Sequence, residues 1–182
     1  VGFQPDGRLM YSTRQYSTLP SSQLVLVDLN TGTKELVPLA EADQGVYAQG
    51  MGTVYFTRLP FQGSHTKRYK GGYIQQLWKF ERGSSEATAL TTDFEGTSKE
   101  VMLWQGRMYF LSDRDGVMNI WSGTLDGKDL KQHTFHTDFD ASSPELDNGR
   151  IVYAHAGDVR LLDVASAKDE ACLLYTSPSP RD

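Results

Sequence analysis

The apolar residues of this chain fall in short alternating runs, and four of those runs share one design. They are 8–13 (RLMYST), 53–58 (TVYFTR), 107–112 (RMYFLS) and 150–155 (RIVYAH). Each follows directly on a glycine: Gly7, Gly52, Gly106 and Gly149. A further run comes after each of them: 24–29 (LVLVDL), 77–81 (LWKFE), 120–125 (IWSGTL) and 159–164 (VRLLDV). Val, Leu, Trp and Phe alternate there with polar residues at period two, which predicts half-buried strands rather than helices. Three of these runs enter polar turns, at Asn30-Thr31-Gly32, Arg82-Gly83-Ser84 and Asp126-Gly127-Lys128. Asn-x-Gly and Asp-Gly supply the positive φ that tight hairpins require. No stretch sustains a helical period, so the predicted class is all-β.

The four openings at 8, 53, 107 and 150 lie 45, 54 and 43 residues apart. A period of about 40–45 residues with several strands per unit is the signature of propeller blades. An antiparallel sandwich also has short strands and frequent turns, but it does not predict one repeated internal design. The expected architecture is a partial β-propeller of about four blades, each four-stranded and antiparallel, at roughly 1–40, 41–92, 93–137 and 138–171. The second interval is the longest because residues 59–73, rich in Gly and basic side chains, are inserted between the second and third strands of that unit. On this pattern the first unit lacks its beginning and the fourth lacks its last strand. An open arc exposes strand edges and apolar blade faces, so the chain alone is expected to be poorly soluble or oligomeric.

Composition narrows the function classes. The formal charge of −5 argues against nucleic acid as the main partner. No apolar run is long enough to cross a membrane. Residues 172–182 (CLLYTSPSPRD) break the blade pattern. They match one reading frame of a transposase adapter used in preparing sequencing libraries, which predicts a non-native tail; the alternative is a natural Pro/Ser-rich tail. The single cysteine, Cys172, falls in that segment, so cysteine usage says nothing of redox compartment.

Candidate chemistry within the chain is sparse. The four histidines are His65, His133, His136 and His155. There is no G-x-S-x-G elbow, and Gly63-Ser64-His65 sits in a polar insertion, so no catalytic residue is assigned. Asp113-x-Asp115-Gly116 has a faint likeness to a calcium loop, but Val117 stands where an oxygen ligand is needed; a hairpin turn explains it better. His133-x-x-His136-x-Asp138-x-Asp140 carries zinc-ligand residue types, yet it spans the end of one blade and the connection to the next. Capping and turn hydrogen bonds are the favoured role, and neither a metal nor a cofactor is expected. Tyr11, Tyr55, Tyr109 and Tyr153 recur once per unit; packing between blades is favoured over an aromatic ring around a channel. The densest cationic cluster is in the insertion: His65, Lys67, Arg68 and Lys70, with Tyr69 and Tyr73 beside them. Long loops on rigid scaffolds often bind, and positive charge near a channel mouth attracts peptide carboxylates. A contact with a neighbouring domain or subunit remains the alternative.

Several of these segments together resemble one family. The run Ser112-Asp113-Arg114-Asp115-Gly116 is typical of blade repeats in Tol-system and peptidase propellers. The stretch 125–134 (LDGKDLKQHT), the FHTDFD at 135–140 and the KRYKGG at 67–72 before Gln76-Leu77-Trp78 are similar to the tricorn protease family. The resemblance is best over 67–167, and it is to that family's first, six-bladed propeller. It implies a propeller that gates or channels peptides to or from a serine peptidase domain outside this chain. It also implies peptides and the protein's own downstream catalytic domains as partners, a homo-oligomer, and a cytoplasmic setting, with a periplasmic or secreted one as the alternative. Two other functions stay open: a non-enzymatic Tol-type propeller that binds a protein partner, and the propeller of an α/β-hydrolase-type peptidase.

Overall fold

The computed structural model describes residues 1–59 and 70–172. Among these residues there are sixteen strands and no helix. They form four sheets, each a four-stranded antiparallel meander in chain order. The first sheet holds β1 (Gly2–Phe3), β2 (Leu9–Thr13), β3 (Gln23–Val27) and β4 (Lys34–Leu36). The second holds β5 (Asp43–Tyr47), β6 (Thr53–Thr57), β7 (Leu77–Glu81) and β8 (Thr88–Ala89). The third holds β9 (Ser98–Trp104), β10 (Arg107–Ser112), β11 (Asn119–Thr124) and β12 (Lys131–Gln132). The fourth holds β13 (Ser142–Asp147), β14 (Arg150–His155), β15 (Asp158–Asp163) and β16 (Lys168–Ala171).

Local chemistry sets the hairpins. Gln105-Gly106 and Asn148-Gly149 both have positive φ at each residue, the pair of conformations a type I′ turn demands. Each therefore returns the chain directly from the first strand of a sheet into the second.

Two sequence expectations are corrected at the ends of the chain. The fourth sheet has its last strand: β16 pairs with β15 through Arg160–Ala171 to Asp163–Lys168. The first sheet has its opening strand, β1, paired with β2. The outermost strand leaves no signal in the sequence, because Lys-Asp-Glu-Ala is mostly exposed and has no apolar alternation.

The core is divided among the spaces between successive sheets. Met10, Leu24 and Leu26 of the first sheet meet Val54 and Phe56 of the second. Tyr55 and Leu77 of the second meet Val101, Met108 and Phe110 of the third. Tyr109, Leu111 and Ile120 of the third meet Ile151, Tyr153 and Leu162 of the fourth. Alternate residues of one strand thus pack against opposite neighbours. Strands β6 and β10 are consequently buried on both faces, where a sheet with one solvated face would bury only every second residue. At Gly45 in β5 a Cβ would lie 2.4 Å from Leu24 Cδ1, so any larger residue there would force the buried Leu24 side chain to shift.

Phe110 is fully buried between the second and third sheets. Phe110→Ala is expected to destabilise the chain by about 3–5 kcal/mol in urea denaturation. Val152→Ala, at a position 41% exposed on the far face of the fourth sheet, should change stability by less than about 1 kcal/mol.

Candidate functional site: the axial cavity and the loop face

The first strand of every sheet is an edge strand, bonded on one side only. These four strands line one cavity of about 1080 Å³. Its wall includes Gln4, Gln44, Glu100, Ser143, Glu145 and Asp147. The wall is irregular in a repeated way. Between Asp43 and Val46, and between Ser142 and Glu145, the pairing register shifts, and the same shift occurs where β9 meets Tyr109 and Leu111. A left-handed residue sits at each shift: Gln44 at φ 47°, Glu100 at 55° and Ser143 at 50°. Each is a β-bulge that leaves one extra residue outside the ladder.

Glutamine side chains join neighbouring first strands. The Tyr47 N–H donates to Gln4 Oε1 at 2.8 Å, from the second sheet to the loop after β1. The Glu100 N–H donates to Gln44 Oε1 at 3.3 Å, from the third sheet to the second. Tyr55, Tyr109 and Tyr153 are buried between sheets, whereas Tyr11 is half-buried and borders the cavity.

The meander separates two ends of the molecule. At one end the connections are short, two to six residues each. At the other lie the four longer ones, 14–22, 58–76, 90–97 and 133–141, together with the shorter turn at 113–118. Of the predicted contact residues in the insertion, His65, Lys67, Arg68 and Tyr69 lie outside the described residues. Lys70 Nζ stands 3.8 Å from Glu95 Oε2, with both side chains well exposed, so the pair adds little. Tyr73 is 66% exposed on this end.

The acidic and histidine motifs resolve into distinct roles. Asp113 Oδ1 accepts the Thr97 N–H at 2.8 Å. Asp115 accepts from the Asn119 amide at 3.1 Å and from Gln132 Nε2. Asp113 thus ties the turn to the connection before β9, and Asp115 ties it to β11 and β12. Asp140 Oδ1 accepts the Met118 N–H at 3.0 Å. His133 turns inward, with Nε2 2.8 Å from Ser122 Oγ and its ring against Tyr109. Burial, with Lys131 and Arg107 nearby, pushes its pKa down to about 4. Ser122 is fully buried and His133 Nδ1 has no partner, so this Ser–His pair has neither access to a substrate nor a carboxylate to orient it.

His136 behaves differently. Its ring stacks on His155 with centroids 3.6 Å apart and planes 19° apart. His155 Nε2 is 3.1 Å from Asp138 Oδ1. His136 Nε2 is 2.8 Å from the Tyr153 hydroxyl, which donates to Asp169 Oδ1 at 2.9 Å. Arg160 pairs with Asp169 at 3.0 Å. Burial and the neighbouring His155 lower the His136 pKa. The sequence run thus splits: His136 and Asp138 converge with His155, a partner from the next sheet that spacing along the chain does not reveal.

Four meander blades in series around a cavity define a β-propeller. Residues 1–168 match the family model for the tricorn protease N-terminal beta propeller domain, and the chain belongs to that family. It is 31% identical over 184 residues to the tricorn protease of Thermoplasma acidophilum, covering all of this chain and 17% of that protein. The crystal structure of the tricorn protease superposes with a TM-score of 0.83 at 29% identity, over the whole chain and 18% of its own length. TolB from Acinetobacter baumannii superposes at a TM-score of 0.70 and 17% identity, over 93% of this chain and 41% of its own, a likeness of fold alone. The chain therefore spans less than a fifth of the tricorn proteins it matches.

The His133 pKa fixes a pH dependence. The unfolded chain takes up this proton near 6.5, the folded chain only near 4. The associated stability is complete above about pH 6.5 and is lost as pH falls toward about 4, by up to about 1.4 kcal/mol per unit. His133→Gln is expected to flatten the denaturation midpoint over that window.

Proposed function

We propose that this chain is the propeller part of a tricorn-like serine peptidase, and that its cavity conducts peptides to or from a catalytic domain outside these residues. The observation that carries this is the cavity wall. It is built from edge strands and bulges, with polar side chains such as Gln4, Gln44 and Glu145 set among apolar ones such as Val46, Leu103 and Leu146. A wall of that kind passes a chain without reacting with it. Membership of the tricorn propeller family supplies the peptidase context. Among the described residues no helix is long and apolar enough to cross a membrane.

Glu145 is exposed on the wall. In the full-length protein, Glu145→Trp is expected to slow steady-state peptide turnover several-fold. Single-turnover cleavage of a bound short peptide should stay unchanged. Equal steady-state rates for this variant and for Lys34→Trp, an exposed position on the outer strand β4 that does not line the cavity, would exclude passage through the cavity.

The basic insertion is proposed as a second element of the same function, holding peptide carboxylates or an adjoining subunit through His65, Lys67, Arg68, Tyr69, Lys70 and Tyr73. Alanine at Lys67, Arg68 and Lys70 together should raise the KM for acidic peptides or weaken assembly in sizing. A variant with unchanged KM and unchanged assembly would remove the insertion from the function.

A further inference from the structure

We propose that His136, Asp138 and His155 bind a divalent transition metal of the zinc class. One ligand atom from each lies within 4.8 Å of the others. Two imidazoles and a carboxylate are a donor set that zinc accepts, and three protein ligands leave a fourth position for water. The site joins the connection before β13 to the end of β14, so a bound ion would tie the approach to the fourth blade to that blade's second strand.

The surroundings supply the outer shell that such sites use. His136 Nε2 faces the Tyr153 hydroxyl, which is held by Asp169 and by Arg160 Nε at 3.2 Å. A histidine held through one ring nitrogen presents the other as the ligand. That leaves His136 Nδ1 for the ion. The His136 side chain is 12% exposed and that of His155 10%, while Asp138 is 59% exposed and opens the site to solvent.

The stacked rings determine how binding must proceed. A cation takes the in-plane lone pair of imidazole, and two nearly parallel rings 3.6 Å apart cannot aim both lone pairs at one point. One ring has to turn. His136 is anchored by Tyr153. His155 is the last residue of β14, next to the Ala156-Gly157 turn, and its partner Asp138 is exposed. His155 is therefore the ring that unstacks, exchanging the contact with Asp138 for shared ligation of the ion.

The test is calorimetric titration of Zn²⁺ into the full chain, carrying Cys172→Ser, free of any histidine tag and stripped with chelator. One Zn²⁺ per chain is expected, together with a rise in Tm at saturation. Co²⁺ in its place should show visible ligand-field bands. His155→Gln and Asp138→Asn should each weaken binding more than about 10-fold. Tyr153→Phe, which removes only the outer hydroxyl, should weaken it about 10–100-fold with the circular dichroism spectrum unchanged. No binding by the parent chain would overturn the assignment. So would Zn²⁺ affinity that survives both His155→Gln and Asp138→Asn, because the ion would then be held elsewhere.

Discussion

Every blade of this protein is stabilised by its neighbour's face. A single four-stranded sheet has two surfaces and no interior, and here each surface becomes interior only by packing on the next sheet. Three equivalent positions show the dependence. Tyr55 and Tyr109 point toward a following blade and are 3% and 6% exposed. Val152 occupies the same place in the fourth blade and is 41% exposed. The neighbour decides the burial. Stability in such an array is close to a sum over adjacent pairs, and each core cluster involves two sheets.

Between the third and fourth blades the apolar contact is joined by a polar one. Asn119 is fully buried, and its amide donates to Asp115 and to the His136 carbonyl. Its Oδ1 accepts from the Thr134 hydroxyl and from the His136 N–H. The turn at Asp113–Gly116 and the connection that starts at His133 are therefore one hydrogen-bonded unit. That unit fixes His136, which Tyr153 holds from the other side. A buried network with its members satisfied rigidifies what it touches, so the position of the His136 ring follows from turn chemistry two strands away.

The sequence shows the second and third strands of each blade clearly, because they carry apolar alternation and are bounded by glycine turns. The apolar run at 77–81 coincides with β7, and its three counterparts lie within two residues of β3, β11 and β15. The outer strands were invisible: Lys34–Leu36, Thr88–Ala89, Lys131–Gln132 and Lys168–Ala171 are short and largely exposed. The family was legible from the turn and connection motifs of the third blade. The histidine cluster was only half legible. Spacing offered His133, His136, Asp138 and Asp140 as one group, but His133 turns into the core beside Ser122 and Asp140 bonds to Met118. His155 joins across a blade boundary, a proximity set by the packing of sheets and not by any period in the chain.

The bulges at Gln44, Glu100 and Ser143 have a consequence for whatever enters the cavity. The wall consists of edge strands, and an edge strand offers unpaired N–H and C=O groups to any extended chain beside it. A regular edge would capture a peptide as an added strand. Each bulge interrupts that ladder and increases the local twist, and Pro144 next to Ser143 has no N–H to offer. The lumen is thus made of β-structure yet poorly suited to β-augmentation: an extended chain laid against it would meet hydrogen-bonding groups one or two at a time and would not be zipped into the sheet.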